Sequence, residues 1–180
     1  LFKLVLFMAA GVVFMNVHQL ELNGIRGSGR NKPLLHLIFL SGALGIAGVP
    51  FFSGYVSKTL LHESIVAYGE LLESGLYQAL FYSRGQITAI EWLFLISGGL
   101  TAAYMTKLYV CIFVEKNSDD MVQETYDCRK GSYMNKCSAL ALTGSALAVV
   151  VLGIVPHLTM DVLADMGQGF MGVTERIPTV

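Results

Sequence analysis

The uncharged segment from Pro33 to Ser57 constrains the fold of this chain more than any other feature of the sequence. It reads PLLHLIFLSGALGIAGVPFFSGYVS and is followed directly by Lys58. A helix that crosses a lipid bilayer needs about 20 predominantly apolar residues, so this segment is long enough to cross one. The sequence therefore predicts a membrane-spanning segment that carries a lysine.

Gly48, Pro50 and Gly54 predict that a helix through this segment is interrupted. Proline removes a backbone donor and clashes with the preceding turn, and glycine adds backbone freedom. Irregular backbone at membrane depth is tolerated only where protein or a water-filled cavity surrounds it. An interrupted membrane helix that carries an ionisable residue, here Lys58, is typical of transport proteins.

The distribution of charge extends this prediction to the whole chain. Only 14% of the residues are charged, whereas soluble domains average about 25%. The charges collect at Glu21–Lys32, Lys58–Glu73 and Glu115–Lys136, between largely apolar runs. We predict an all-α membrane protein, a polytopic transmembrane helix bundle with one broken helix that forms a single transmembrane region over residues 1–180. The predicted spans are approximately 1–17, 33–68 (broken near 48–54), 89–114 and 138–160.

Small residues within these spans predict close helix packing. They are Ser41, Gly42, Gly45 and Gly48 in the second span, Ser97, Gly98, Gly99, Ala102 and Ala103 in the third, and Gly144, Ser145 and Ala148 in the fourth. Small side chains let membrane helices approach each other closely. We therefore expect a bundle with little surface left free for lipid.

The loops between spans predict the orientation. Arg26, Arg30 and Lys32 lie between the first two spans, and four further basic residues lie between the last two: Lys116, Arg129, Lys130 and Lys136. Short cytoplasmic loops carry an excess of basic residues. Loops 21–32 and 115–137 are therefore predicted to be cytoplasmic.

Other classes of function have little support in the sequence. The net charge of −1 is accompanied by no basic stripe, so no nucleic-acid partner is predicted. The three cysteines have neither disulfide nor metal-site spacing, and no cofactor, metal or catalytic residue is predicted. The segment NGIRGSGRNK lacks the strand and the lysine–serine ending of a phosphate loop, and we interpret it as a flexible basic loop.

Five titratable residues in or beside the spans are candidates for a proton pathway: Lys3, Lys58, Lys107, His62 and Glu63. A lysine deprived of water holds its proton less tightly, whereas an arginine stays charged. Lys107 is equally consistent with a buried functional role and with an amine that reaches the lipid headgroups. The residues around Lys3 do not by themselves distinguish these two roles. His62 and Glu63, one turn beyond Lys58, have three interpretations: they tune the charge of Lys58, they form a proton exit, or they are simply the hydrated end of the helix.

Two segments resemble one protein family. LFKLVLFMAAG at Leu1–Gly11 and LSGALGIAGVPFFSGYVSKTLL at Leu40–Leu61 are similar to motifs of the antiporter-like, proton-conducting membrane subunits. These subunits occur in respiratory complex I, in membrane-bound hydrogenases and in multisubunit sodium/proton antiporters. NGIRGSGRNKP and SGGLTAAYMTKLYVCIF resemble the family's next segments, so the resemblance covers most of Leu1–Val114.

The resemblance implies that the chain is the C-terminal part of a larger subunit with inverted repeats. Lys3 would then be a central proton-relay lysine, and Lys58 the lysine of the broken helix near an exit half-channel. Lys107 matches a basic position in the following helix. The family often has acidic residues directly after the second lysine, where this chain has Thr59 and Leu60.

We therefore expect a proton-translocating subunit of a redox-driven pump or of a cation/proton antiporter complex. Its expected partners are the lipid bilayer, other membrane subunits and protons. Participation of Na⁺ stays open, as does membership of an NADH-quinone oxidoreductase-type or hydrogenase-type enzyme. The expected location is the cell membrane of a bacterium or archaeon. Two alternatives remain: a solute or ion carrier that uses the broken helix as its binding site, and a structural membrane subunit.

Overall fold

A computed structural model describes residues 1–73, 83–128 and 133–156, together with residues 162, 166, 167, 169 and 170. Within this part of the chain the regular structure is helical, without strands. The predicted end of the fourth span at 157–160 and the basic residues Arg129 and Lys130 lie outside the described residues.

Helices lie at the positions of the four predicted spans. In chain order, the helices are α1 (Phe2–Val17), α2 (Leu22–Ile25), α3 (Pro33–Ala47), α4 (Ser53–Glu73), α5 (Arg84–Tyr109), which continues as a π-helical turn over Val110–Val114, α6 (Asp120–Cys128) and α7 (Lys136–Ile154). The two shorter helices, α2 and α6, lie between spans. Among the described residues, Arg84–Val114 and Lys136–Ile154 are long and apolar enough to cross a membrane, and α1 and α3 are shorter apolar helices. That these helices cross a membrane as four spans stays a prediction.

The core lies between α1, α3 and α7. The largest fully buried side chains among the described residues are Val5, Leu35, Ile38, Leu142 and Val149. Gly42 allows α1 and α3 to approach, because a Cβ atom there would lie 2.9 Å from Cγ of Leu6. Gly45 packs in the same way, with a Cβ atom 3.2 Å from Cγ1 of Val149. The small residues of the second predicted span therefore pack helices closely, as predicted.

Helix α3 ends where Gly48 adopts a left-handed conformation. Its φ is 81°, a region that glycine enters without steric cost. The Gly48 N–H bonds to the Gly45 oxygen at 3.2 Å, and the Val49 N–H bonds to the Leu44 oxygen at 3.1 Å. This pair of bonds is the Schellman arrangement that terminates helices. The chain then passes through Pro50 and Phe51 and begins α4 at Ser53.

The small residues of α5 and α7 differ from the prediction. A Cβ atom built on Gly98, Gly99 or Gly144 would meet nothing within 4 Å. Only Ile87 is buried along the whole of α5, although its sequence is largely apolar. The expectation of little free surface is therefore not met for α5 within the described part of the chain.

Residues 27–29 also differ from the prediction of a flexible loop, because they bind the end of α5. The Glu115 N–H bonds five residues back, to the Val110 oxygen, at 2.9 Å. This π-helical turn leaves the Cys111 and Ile112 oxygens free to accept hydrogen bonds from the N–H groups of Gly27 and Gly29 at 3.0 and 3.1 Å. Residues 27–29 are consequently buried.

The two loops that carry the predicted cytoplasmic charge lie together at one end of the helices. Nε of Arg26 is 3.1 Å from Oε2 of Glu115. The Asn117 side chain donates to the Arg26 oxygen at 3.2 Å, and the Tyr126 hydroxyl donates to the Gly24 oxygen at 2.7 Å. The side of the membrane on which these loops lie stays a prediction.

Candidate functional site: a cavity between Lys3 and Lys58

Two of the predicted pathway lysines line one cavity of about 450 Å³. Lys3 comes from α1 and Lys58 comes from α4, and α5 forms the opposite wall. The lining residues are Phe2, Lys3, Ile46, Ala47, Lys58, Phe94, Leu95, Ser97, Gly98, Thr101 and Tyr104. The fold therefore brings together two lysines that are far apart in the sequence.

The end of α3 forms the polar part of this cavity. The Nζ atom of Lys58 donates a hydrogen bond to the Ala47 oxygen at 3.2 Å. The last carbonyl groups of a helix have no partner within the helix and carry a partial negative charge, which favours a nearby ammonium group. A Cβ atom on Gly48 would lie 2.8 Å from Cδ of Lys58, so glycine makes room for the lysine side chain.

Lys3 lies where this cavity meets a second one. The second cavity, of about 390 Å³, is lined by Lys3 and by apolar residues of α1, α3 and α5, including Phe7, Phe39 and Met105. Lys3 is exposed in the described structure. Its amine can therefore face either cavity, whereas the Lys58 side chain is only partly buried and is held by Ala47.

Helix α5 contributes hydroxyl groups to the first cavity. They belong to Ser97, Thr101 and Tyr104. The Thr101 hydroxyl donates to the Ser97 backbone oxygen at 2.7 Å, which ties this side chain to its own helix. From the sequence, Ser97 is predicted only as a small packing residue, and Thr101 and Tyr104 are not predicted as site residues. Hydroxyl groups beside two amines can accept and donate hydrogen bonds to water in such a cavity.

The His62 side chain faces α5 and contacts residues of that helix. Its Nε2 atom lies 3.3 Å from Oε1 of Glu91, and its ring stacks on Phe94 with centroids 6.2 Å apart. Glu91 is not among the pathway residues predicted from the sequence. A signal existed, because Glu91 is the only charged residue between Arg84 and Lys107 in an otherwise apolar run.

The other two predicted pathway residues lie elsewhere. Lys107 and Glu63 are exposed and do not line the cavity of Lys3 and Lys58. Lys107 lies one turn beyond Tyr104, in the last turn of α5. The roles of Lys107 and Glu63 stay predictions.

The residues of the predicted helix break pack closely. A Cβ atom on Gly54 would overlap the Gly45 backbone oxygen, so α3 and the start of α4 touch through their backbones. A Cβ atom on Gly153 of α7 would likewise overlap the backbone of Phe51 and Phe52. Phe51 has a φ of 73°, a left-handed conformation that is strained for an aromatic residue. Pro50 is exposed in this connection.

Residues 1–83 match the profile of a family described as NADH:quinone oxidoreductase/Mrp antiporter, TM. NADH-ubiquinone oxidoreductase chain 5 of Schizophyllum commune is 28% identical over 179 residues, which are 96% of this chain and 22% of that protein. The putative antiporter subunit mnhA2 of Staphylococcus epidermidis (strain ATCC 12228 / FDA PCI 1200) is 32% identical over 74 residues, 41% of this chain and 9% of that one. No solved structure matches significantly.

The match over residues 1–83 and the two relatives agree in their similarity to NADH:quinone oxidoreductase/Mrp antiporter proteins, and the matched region of that family is a transmembrane one. This confirms the family recognised from Leu1–Gly11 and Leu40–Leu61. The chain spans only about a fifth of the length of the fungal relative. Relatives occur in fungi as well as in Staphylococcus, so the family supports a membrane location, and the bacterial or archaeal assignment stays a prediction.

Proposed function

We propose that this chain is part of a proton-translocating, antiporter-like membrane subunit in which Lys3 and Lys58 relay protons through their shared cavity. The observation that carries this proposal is that lysines from two different helices line one cavity of about 450 Å³. The relatives are named as an oxidoreductase chain and an antiporter subunit, which favours work within a complex of several membrane subunits.

In this proposal α3 and α4 are the two halves of one interrupted transmembrane helix within a polytopic bundle. The termination of α3 by Gly48, directly beside the cavity, supports it. An interruption at membrane depth must face protein or water, and here it faces a cavity with two amines. The largely exposed apolar surface of α5 would contact lipid or another membrane helix.

The relay follows from the charges of the two lysines. Two ammonium groups that face one cavity repel each other, so a proton that arrives at one lysine favours release from the other. The Lys58 Nζ atom donates a hydrogen bond to the Ala47 oxygen, which fixes the position of this amine beside the cavity. A change of about 1.4 kcal/mol in the free-energy difference between two protonation states changes the ratio of their populations tenfold. A modest change of charge in a neighbouring subunit therefore suffices to set the direction of proton transfer.

The test is proton transport by the intact protein in its native complex, reconstituted in sealed vesicles. Lys3→Ala and Lys58→Ala each remove one relay amine, and we expect proton transport to fall about tenfold or more, as for loss of a proton-transfer group. The matched control is Lys116→Ala, which removes an exposed loop lysine. The amount of assembled complex should be unchanged in all three variants.

Other outcomes would support the two alternatives. Normal transport by Lys58→Ala would contradict the relay and favour a structural subunit in which Lys58 reaches the headgroups. Uptake of a solute by the purified protein alone would favour a carrier that binds its substrate at the interruption between α3 and α4.

A further inference from the structure

We propose that Glu91 of α5 accepts, through His62 of α4, the proton that Lys58 releases. This inference rests on the proposed function and extends the pathway to a residue on the next helix. The geometry that carries it is the distance of 3.3 Å between Nε2 of His62 and Oε1 of Glu91. These side chains are 34% and 33% exposed, whereas Nε2 of His62 is itself buried and makes no hydrogen bond within the described residues.

The pair is continuous with the cavity of Lys3 and Lys58. Lys58 and His62 are four residues apart on α4 and therefore lie on the same face of that helix. Phe94 lines the cavity together with Lys58, and its ring also stacks on the His62 ring. Glu91 precedes Phe94 by one turn on α5. Lys58 and His62 thus share one face of α4, and Phe94 and Glu91 of α5 lie opposite that face.

No carboxylate on α4 offers the same arrangement beside Lys58. The residues that directly follow the lysine, Thr59 and Leu60, carry no charge. Glu63 is exposed, whereas Glu91 is paired with His62. An ionisable residue in an apolar membrane helix is costly, and such residues mark ion or proton pathways.

A purely structural role explains the pair less well. A contact between a carboxylate and an imidazole with this degree of exposure contributes at most about 1 kcal/mol to stability. That gain is small beside the cost of a carboxylate in the apolar α5 segment. A role in proton transfer accounts for the position of Glu91 opposite His62 as well as for its charge.

The proposed transfer conserves atoms and charge. A proton leaves Nζ of Lys58, and the ammonium group becomes a neutral amine. His62 gains a proton on Nδ1 and loses one from Nε2, so its charge is unchanged and its tautomer is reversed. The Glu91 carboxylate gains that proton and becomes a carboxylic acid, which then releases it outside the cavity.

The test compares Glu91→Gln, Glu91→Asp and Glu70→Gln in the intact complex, reconstituted in vesicles, with Lys58→Ala measured in parallel. Glutamine keeps an oxygen that can accept a hydrogen bond from His62 but cannot take up the proton, whereas aspartate keeps the carboxylate. Glu70→Gln is the matched control, because Glu70 is an exposed glutamate of α4 outside the pathway. Transport is expressed per assembled complex, and His62→Gln serves as a second variant.

We expect Glu91→Gln and His62→Gln to lower proton transport about tenfold, Glu91→Asp to keep a large part of it, and Glu70→Gln to behave as the wild type. If Glu91→Gln transports protons as well as Glu70→Gln while Lys58→Ala is inactive, this inference is overturned and the proposed function stands. If Glu91→Asp fails as completely as Glu91→Gln, the carboxylate is not the reason for the loss, and the inference is again overturned. Normal transport by Lys58→Ala would overturn the proposed function itself.

Discussion

The Lys58 ammonium group and the Ala47 carbonyl oxygen are 3.2 Å apart and hydrogen-bonded, so a side chain of α4 satisfies the end of α3. A cation at a helix C-terminus contributes about 0.3–1 kcal/mol through the helix dipole. The helix interruption and Lys58 therefore depend on each other. The interruption leaves the Ala47 carbonyl group without a partner within α3, and the Lys58 ammonium group donates a hydrogen bond to it.

Gly48→Ala should destabilise the protein and disturb Lys58. Gly48 has a φ of 81°, which costs an alanine about 1–2 kcal/mol, and the new Cβ atom would lie 2.8 Å from Cδ of Lys58. Thermal unfolding in detergent should show a lower Tm, and proton transport should fall as well. Gly99→Ala is the control, since α5 leaves open space around Gly99. Equal Tm values for the two variants would contradict the left-handed end of α3.

Gly54→Ala should separate α3 from α4. The added Cβ atom would overlap the Gly45 backbone oxygen, and overpacking of this kind costs about 1–3 kcal/mol. The fraction of protein that remains folded and assembled after mild heating measures the loss. Gly144→Ala, at a helical glycine with open space, should leave that fraction unchanged or slightly higher. Tolerance of Gly54→Ala would show that the two helices do not touch there.

The interruption after Ala47 could be anticipated from the sequence because Gly48 and Pro50 act locally. Glycine widens and proline restricts the range of backbone conformations at its own position, and neither effect depends on tertiary contacts. The cavity could not be derived in the same way, since it depends on how α1, α4 and α5 come together. The resemblance to a known family, rather than spacing alone, linked Lys3 with Lys58 in advance.

Glu91 and the π-helical turn show what the sequence did not reveal. Glu91 was overlooked because one glutamate in a long apolar segment is also consistent with an exposed position. Its pairing with His62 depends on the rotation of α4 against α5, which single-chain periodicity does not determine. The ordering of Gly27 and Gly29 depends on carbonyl groups that only the turn at Val110–Val114 leaves free.

At the loop end of the helices, backbone geometry should matter more than charge. Arg26→Gln breaks an ion pair whose side chains are 34% and 44% exposed, so the free energy of unfolding should fall by less than about 1 kcal/mol. Gly27→Ala should cost more, because Gly27 has a φ of 74° and its Cβ atom would overlap Oε1 of Gln123. Chemical unfolding of the two variants would measure both effects, and a larger loss for Arg26→Gln would contradict this ranking.

Tyr133 should make stability depend on high pH. Partial burial raises the pKa of the Tyr133 phenol, against a smaller opposing effect of a hydrogen bond with the Leu35 backbone. The folded protein thus keeps the phenol proton to a higher pH than the unfolded chain, and this stabilisation is full below about pH 10 and is lost as the pH rises through the folded-state pKa. Between pH 9 and pH 11, the Tm of the wild type should therefore fall further than that of Tyr133→Phe. An equal fall in Tm for the wild type and Tyr133→Phe would show that Tyr133 does not contribute to the pH dependence of stability.

The most direct test of the proton relay is transport by Lys58→Arg in the assembled complex. Arginine keeps the positive charge at the end of α3 and can donate to the Ala47 oxygen, but it does not release its proton at physiological pH. We therefore predict a complex that assembles normally and has lost most of its proton transport, like Lys58→Ala. Transport at the wild-type rate by Lys58→Arg would show that this position needs only a fixed charge, and it would contradict the relay between Lys58 and Lys3.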